Sequence, residues 1–474
     1  MDFFTFLRTF AETYPKGVEQ QSAAAPAGRA IIKECNMDIS ELYQLYLQHP
    51  QITTDSRDCP EGSIFLALKG EAFDGNRFAA MALEKGCAYA IVDEAEYAVG
   101  DRCLLVDDCL QTFKELAREH RRHFSIPVIG ITGTNGKTTT KELVSAVLAE
   151  KYRVMFTQGN FNNDVGVPKT LFTLNDSHDI AVVEMGASHP GDIQRLVDYV
   201  EPTCGLITNV GMAHLQGFGS FEGVKRTKGE LYDFLKAHGA LAFLNADNEH
   251  LMGMARERQL DRVITYGHDA GSAVYGRMTS CAPFLAFEWS SELLGNPTSE
   301  PAVYTVQTHL IGAYNIDNML AAITVGLHFG VTADQICHAL ENYIPSNNRS
   351  QLEVTAHNKL IVDAYNANPT SMAAALENFR VMRVDRKMAI LGDMRELGEA
   401  SAEEHQKVAD LLKTLPIDKI WLVGDEFGRT RCDFRKFHDV EEVKAALAEE
   451  QPEDYYILIK GSNGIKLFQL PALL

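Results

Sequence analysis

Short apolar runs rich in β-branched residues recur along the chain, and each closes on a polar turn. Such runs lie at 89–92, 128–131, 180–185, 204–208, 360–363, 388–391, 419–423 and 456–459. Continuous apolar stretches of this length predict strands covered on both faces. Residues 62–70 read as a turn, a strand and a second turn. Between the runs, apolar positions return at helical spacing. They do so in MDISELYQLYLQHP from Met37, over 77–85, after Lys137, over 221–235 and over 319–327. Strands alternating with helices predict an α/β protein built on parallel sheets.

The same pattern divides the chain. Its 474 residues exceed one ordinary core. Residues 1–36 pass into QQSAAAPAGRA, a linker-like composition without a basic start and apolar core, so they read as a dispensable extension and not a secretory signal. Residues 37–124 form a first α/β unit, 125–345 a central unit, and 346–474 a third unit of doubly wound pattern.

Composition narrows the function classes. Apolar residues make up 46% and charged residues 23%, as in globular proteins that stay in water. A net charge of −20 argues against nonspecific nucleic-acid or anionic-membrane binding, so no nucleic-acid partner is expected. No apolar run approaches the ~20 residues of a membrane helix, and no membrane insertion is expected. The nine cysteines are scattered and form no C-x-x-C, which suits a reducing cytoplasm.

The densest chemistry lies at 128–142, VIGITGTNGKTTTKE. A strand, a Gly-rich turn and a helix are the setting of a phosphate-binding loop. Gly133, Thr134, Asn135 and Gly136 let backbone N–H groups approach an anion, and the helix start adds partial positive charge. Lys137 would neutralise β- and γ-phosphates, the Thr138 hydroxyl would sit on Mg²⁺, and Thr139 completes the turn. The pattern G-x-x-x-x-G-K-[ST] is not met, because Ile131 stands five positions before Gly136; the loop is a shortened variant.

Other polar groups fall at strand ends. GNFNNDVGVP (159–168) is a rigid loop whose Asn162 and Asn163 suit sugar or peptide recognition, or plain turn chemistry. Glu184 and His214 follow two strands and are candidate Mg²⁺ ligands. Lys228 would be repelled by the metal unless it contacts phosphate, or unless CO₂ adds to its neutral amine and gives an anionic carbamate. Asn315 and Asn318 lie one helical turn apart, to read a base edge or to cap the helix. Ser56, Arg57 and Lys69 could hold a phosphorylated ligand, although loop polar groups are usually just solvated. In the third unit the loops 363–369, 392–398 and 460–463 would share one sheet edge.

Together these stretches resemble the Mur ligase family of peptidoglycan synthesis, from about Met37 to the C-terminus. The residues that carry the likeness are TDSR (54–57), GTNGKTT (133–139), GNFNNDVGVP (159–168), EMGA (184–187), NVGMAHLQGFGS (209–220), KGE (228–230), YNIDN (314–318), DAYNANPTSM (363–372) and GDMRELG (392–398). The resemblance implies three domains, a central P-loop ATPase-type parallel sheet and a C-terminal Rossmann-like domain. It implies a monomeric cytoplasmic enzyme that uses ATP and two Mg²⁺ ions to join D-alanyl-D-alanine to UDP-N-acetylmuramoyl-tripeptide. Ser56, Arg57 and Lys69 would then reach the UDP end, and Lys137 and Thr138 would hold ATP phosphate and Mg²⁺. Glu184 and His214 would bind the second Mg²⁺, and Lys228 falls where the family carries its carbamylated lysine. Asn315 would help with the base, Arg349 would reach the γ-phosphate, and Asp363 with Asn366 would touch the nucleotide. Two positions depart from the family: Asn348 where Gly is frequent, and Asn463 where Arg is common. A folate-polyglutamate-type ligase shares the ATP core but should lack the TDSR domain. A bare nucleotide-binding module would need no set of Glu184, His214 and Lys228.

Overall fold

Strands gather into three principal sheets along a computed structural model that describes residues 37–70, 73–281, 283–294, 302–345 and 351–474. The expected extension at 1–36 and Arg349 lie outside the described residues. The first sheet is parallel and four-stranded, in the order Ile52–Thr53, Ile64–Leu66, Tyr89–Val92 and Cys103–Leu105. A two-stranded hairpin, Lys69–Gly70 with Phe73–Asp74, projects beside it. The helix expected over 77–85 is a 3₁₀ turn, Gly75–Phe78, running into the short α-helix Ala79–Glu84.

The central sheet has nine strands. Val128–Thr132 lies between Ile180–Glu184 and Cys204–Ile207, parallel to both, with Ile131 opposite Glu184 and Thr132 opposite Ile207. This register brings the turn at 133–136, Glu184 and the segment after Ile207 to one edge, where parallel α/β sheets bind ligands. Alternation along the buried strand supplies both faces. Ile129 and Ile131 pack with Leu143, Val144, Met319 and Ile323 from two helices. Val128 joins Ala181, Val183 and Leu196 on the opposite face.

Parallel pairing ends at Val274–Cys281. Phe284–Ser291 and Tyr304–Ile311 then extend that edge antiparallel. The sequence pattern did not predict these three strands: Val274–Cys281 has four successive exposed residues, the apolar run of Phe284–Ser291 is cut short by Glu288, and Tyr304–Ile311 alternates.

The third sheet runs Gln351–Val354, Lys359–Asp363, Tyr456–Lys460, Lys387–Gly392, Lys419–Val423 and Arg435–Phe437, with only the first strand antiparallel. Its four inner strands match the predicted apolar runs. Both edge strands were missed, being short and partly exposed. Asp363 pairs in register with Lys460, and Gly392 with Val423, so the three loops named from the sequence do share one edge.

The first and central sheets are joined by packing as well as by chain. Phe172 stacks on Phe113 with ring centroids 5.5 Å apart and meets Tyr46 at 5.0 Å. Arg118 and Arg122, on the helix Cys109–Arg122, both pair with Glu201 at the far end of the helix Asp192–Val200.

Candidate active site

The turn after Val128–Thr132 has room for no side chain at two positions. Gly133 has φ 144°, and a Cβ there would lie 2.0 Å from Thr208 Oγ1. Gly136 has φ 78°, and a Cβ there would lie 2.7 Å from Asn318 Oδ1. Gly136 also caps the helix Lys137–Ala149 in a left-handed conformation. The helix therefore opens with N–H groups that helix geometry leaves without intrahelical acceptors, an anion-binding arrangement. Lys137 folds across the turn, donating to the carbonyls of Gly133 and Thr134 at 2.9 Å each. Thr139 lies half-buried in the same first helical turn.

Residues after the neighbouring strand clamp this loop. Asn209 accepts from the Asn135 N–H at 3.0 Å and donates to the Asn135 carbonyl at 3.0 Å. Thr208 Oγ1 donates to that carbonyl at 2.6 Å, and the Gly211 N–H donates to Thr134 Oγ1 at 3.0 Å. Neither Thr208 nor Asn209 has a role assigned from the sequence. Their signal was position alone, directly after a strand adjacent to the loop.

Glu184 is fully buried at the end of its strand. One oxygen, Oε1, accepts from Asn162 Nδ2 at 2.7 Å and from Thr138 Oγ1 at 3.2 Å. The other, Oε2, has no hydrogen-bond partner among the described residues. A buried carboxylate oxygen left open costs free energy unless a ligand answers it. Asn163, called with Asn162, is an end cap for the following turn: its Oδ1 accepts from Gly166 N at 2.8 Å.

Lys228 lies on the helix Phe221–Ala237 and is 2% exposed. Its Nζ reaches the Ala187 carbonyl at 3.4 Å and stands 5.5 Å from the Phe218 ring centre. Burial and then the Lys137 charge push its ammonium well below the usual lysine range, against the pull of Asp192, Glu230 and Glu184. The neutral amine is thereby favoured.

His214 takes a left-handed backbone, φ 51°, and its Nδ1 pairs with the Glu396 carboxylate of the 392–398 loop. That loop was expected at the site's edge, but this particular pairing was not. Among the described residues no three His, Cys, Asp or Glu side chains gather as a metal cluster. One further contact reaches the central loop from the third unit: Asn368 Nδ2 donates to Asn135 Oδ1 at 2.7 Å. Within the third sheet, Lys460 pairs with Asp363 at 2.6 Å. Asn366 is exposed and its Oδ1 accepts from the Ala367 N–H, 2.8 Å away.

Asn315 is 2% exposed, and its amide is tied into the fold. It donates to the Ile311 carbonyl at 2.8 Å and accepts from Asn318 Nδ2 at 2.9 Å, while Asn318 Oδ1 accepts from Thr140 Oγ1. Among the described residues no side chain caps the N–H groups at this helix start; the bonds tie the pair to the preceding strand end and to the phosphate-loop helix.

On the first sheet, Ser56 is buried, Arg57 grips Asp55 through two bonds of 2.9 and 2.8 Å, and Lys69 pairs with Asp93 and Glu94 at 2.8 and 2.9 Å. These carboxylates hold the Lys69 ammonium above its usual range. Both cations thus stand in solvent-facing pairs that a ligand anion would have to share or displace.

The chain resembles known proteins in sequence and fold. Three family profiles match: Mur ligase family, catalytic domain, over residues 50–121; Mur ligase middle domain, over 131–326; and Mur ligase, glutamate ligase domain, over 348–463. The chain is 34% identical to a UDP-N-acetylmuramoyl-tripeptide–D-alanyl-D-alanine ligase of Synechocystis sp. over 449 residues, covering 93% of this chain and 94% of the relative. It is 32% identical to the Bacillus subtilis protein of the same description, covering 93% and 98%. Among solved structures it resembles MurF from Acinetobacter baumannii, with a TM-score of 0.81, 29% identity, and 92% and 97% of the two chains covered. It also resembles the MurF ligase from Thermotoga maritima in complex with ADP, with a TM-score of 0.80, 27% identity, and 90% and 97% covered.

Proposed function

The chain belongs to the Mur ligase family, and from that premise we propose how its residues carry out the family's chemistry. The activity is ATP-dependent ligation of D-alanyl-D-alanine to UDP-N-acetylmuramoyl-tripeptide in peptidoglycan precursor synthesis. The terminal carboxylate of the tripeptide is a poor electrophile. Its oxygen attacks the γ-phosphorus of ATP, ADP leaves, and an acyl phosphate forms. The neutral amine of the dipeptide then attacks the acyl carbon, phosphate leaves, and an amide remains. An α-amino group titrates near ~8, so its deprotonation costs little.

The N–H groups of the 133–136 turn and the following helix start cradle the phosphates. Lys137 moves from the loop carbonyls to the transferring phosphoryl oxygens. The observation that carries this reading is Glu184: a buried carboxylate with one open oxygen, held by Asn162 and Thr138 beside that loop. These hard oxygen donors fit Mg²⁺, which keeps few protein ligands and takes the rest from phosphate and water. Bound there, Mg²⁺ would neutralise charge on the transferring phosphoryl group. Thr138 would be its protein donor beside the ATP phosphates in this reading; Glu184, with His214 and a carbamylated Lys228, would hold a second ion. His214 reaches it by leaving Glu396.

The 37–124, 125–345 and 346–474 division assigns the UDP end to the first domain, through Ser56, Arg57 and Lys69. ATP lies between the other two, with Asp363, Asn366, Asn315 and Arg349 as nucleotide contacts. Since ATP and UDP-linked precursors are cytoplasmic metabolites, we place the reaction in the cytoplasm. A monomer is the working assembly in this reading.

The test is phosphate release with UDP-N-acetylmuramoyl-tripeptide, ATP and one amine at a time. D-alanyl-D-alanine is expected to give the fastest turnover. In 363–372, no Arg follows Pro369 to hold a side-chain carboxylate, and an unpaired buried charge is costly. Faster release with meso-diaminopimelate, L-lysine or glutamate would overturn the amine assignment.

A further inference from the structure

The short helix Gly166–Leu171 carries a cation without a direct partner among the described residues. Buried lysines elsewhere have partners: Lys114 pairs with Asp164, Lys141 donates to the Thr157 carbonyl, and Lys460 pairs with Asp363. Lys169 is half-buried, yet among the described residues its ammonium has no hydrogen bond or ion pair. Burial lowers its pKa, opposed by the charge of Asp55. Asp55, however, is already gripped by the Arg57 guanidinium at 2.9 and 2.8 Å. Next to Asp55, Ser56 is 4% exposed, and its hydroxyl has no hydrogen-bond partner among the described residues.

The position of this helix gives the unanswered groups a meaning. Its N-terminal side follows Asn162, which holds Glu184 at the phosphate end of the site. Its C-terminal side is pinned to the first sheet's core by Phe172. Lys169 therefore lies on the segment that runs from the Glu184 side of the site to the first sheet, and the Asp55 charge of the 54–57 turn acts on its ammonium. A nucleotide-linked peptide stretched between those points carries anions along its length. An ammonium already half out of water gains from a charge-assisted bond to one of them.

We propose that Lys169 is a specificity-determining residue that binds a non-reacting anionic group of the nucleotide-peptide, either an internal peptide carboxylate or the diphosphate. The proposal deepens the reading above and rests on its placing of the UDP end at residues 54–57. Lys169→Met keeps the stem and removes the charge. With ATP and D-alanyl-D-alanine saturating, its KM for the nucleotide-tripeptide should rise tenfold or more, with kcat within threefold. Lys169→Arg should keep KM within threefold of the parent.

Two probes separate the sources. If the carboxylate is bound, amidating it should raise the parent's KM by the same factor, Lys169→Met should lose nothing further, and UDP should inhibit both alike. If the diphosphate is bound, UDP inhibition should weaken by that factor in Lys169→Met, and amidation should leave the parent unchanged. Thermal melting and ADP binding confirm folding, and Lys169→Gln replaces the Met variant if it is not tolerated. A folded uncharged variant with unchanged KM and unchanged UDP inhibition overturns the proposal. If instead Arg57→Ala leaves UDP inhibition untouched, the reading of the 54–57 turn fails, whatever the Lys169 variants show.

Discussion

Lys228 shows how a single letter acquires chemistry from its surroundings. A lysine in water is an ammonium and repels a metal. At 2% exposure, with Lys137 nearby, the neutral amine is favoured, and only that form adds CO₂. A carbamate would then supply an anion at a place where the chain offers no cluster of three metal-binding side chains among the described residues. Lys228→Ala should lose at least a hundredfold in kcat, and a small carboxylate in the buffer should restore part of it. Lys228→Arg should stay inactive, because it keeps a positive charge. An active Arg variant would instead assign Lys228 to phosphate binding.

Among the elements, the segment from Asn162 to Phe172 ties two sheets together. Asn162 holds Glu184, Asp164 pairs with Lys114 at 2.9 Å, and Phe172 enters the first sheet's aromatic cluster. Phe172→Ala should cost about 2 kcal/mol, since the ring is only half-buried, read as a lower denaturation midpoint. The Glu201 clamp adds a dependence on pH. Burial raises its pKa, but bonds from Arg122 and Arg118 outweigh that and hold it below the usual carboxylate range. A depressed folded pKa stabilises above the unfolded value near ~4.3, and the gain is lost as pH falls through the folded value. Glu201→Gln should therefore melt lower than the parent at neutral pH, by about 1 kcal/mol after solvent screening. The gap should close on acidification; a gap that persists below the folded pKa would assign the loss to packing.

For the whole described chain, contacts between the central and third sheets define a closed arrangement. Asn135 meets Asn368, His214 meets Glu396, and the Gln216 N–H reaches the Glu396 carbonyl at 3.5 Å. Glu396 has φ 67° and His214 φ 51°, conformations that cost side-chain-bearing residues free energy and persist where neighbours hold them. Closure matters because water hydrolyses an acyl phosphate. Glu396→Ala should raise phosphate release uncoupled from amide formation at least threefold; unchanged coupling would remove Glu396 from closure. A chain beginning at Met37 should match the full chain in rate, since residues 1–36 carry none of the family's motifs. A tenfold loss would show that the extension supports the enzyme.

Apolar runs and their turns were enough to locate the strands around the phosphate loop, the loop itself and Glu184, because buried parallel strands must be continuously apolar and a phosphate turn must be glycine-rich, although the inner strands Leu241–Asn245 and Val263–Gly267 were missed. Strands with one open face, such as Val274–Cys281, escaped because half their residues are polar. The sequence named Asn315 and Asn318 but left their role open between base reading and capping. Tertiary structure bound Asn315 to Ile311 and Asn318, positions fixed only after the helix packs. It likewise brought Glu396 to His214 across 182 positions of chain, Asn209 under the loop, and the Asp55 charge near enough to act on Lys169 without freeing Asp55 from Arg57. Local spacing fixes which residues share an element. Which charges meet depends on sheet order and on packing between distant segments, and these no local pattern contains.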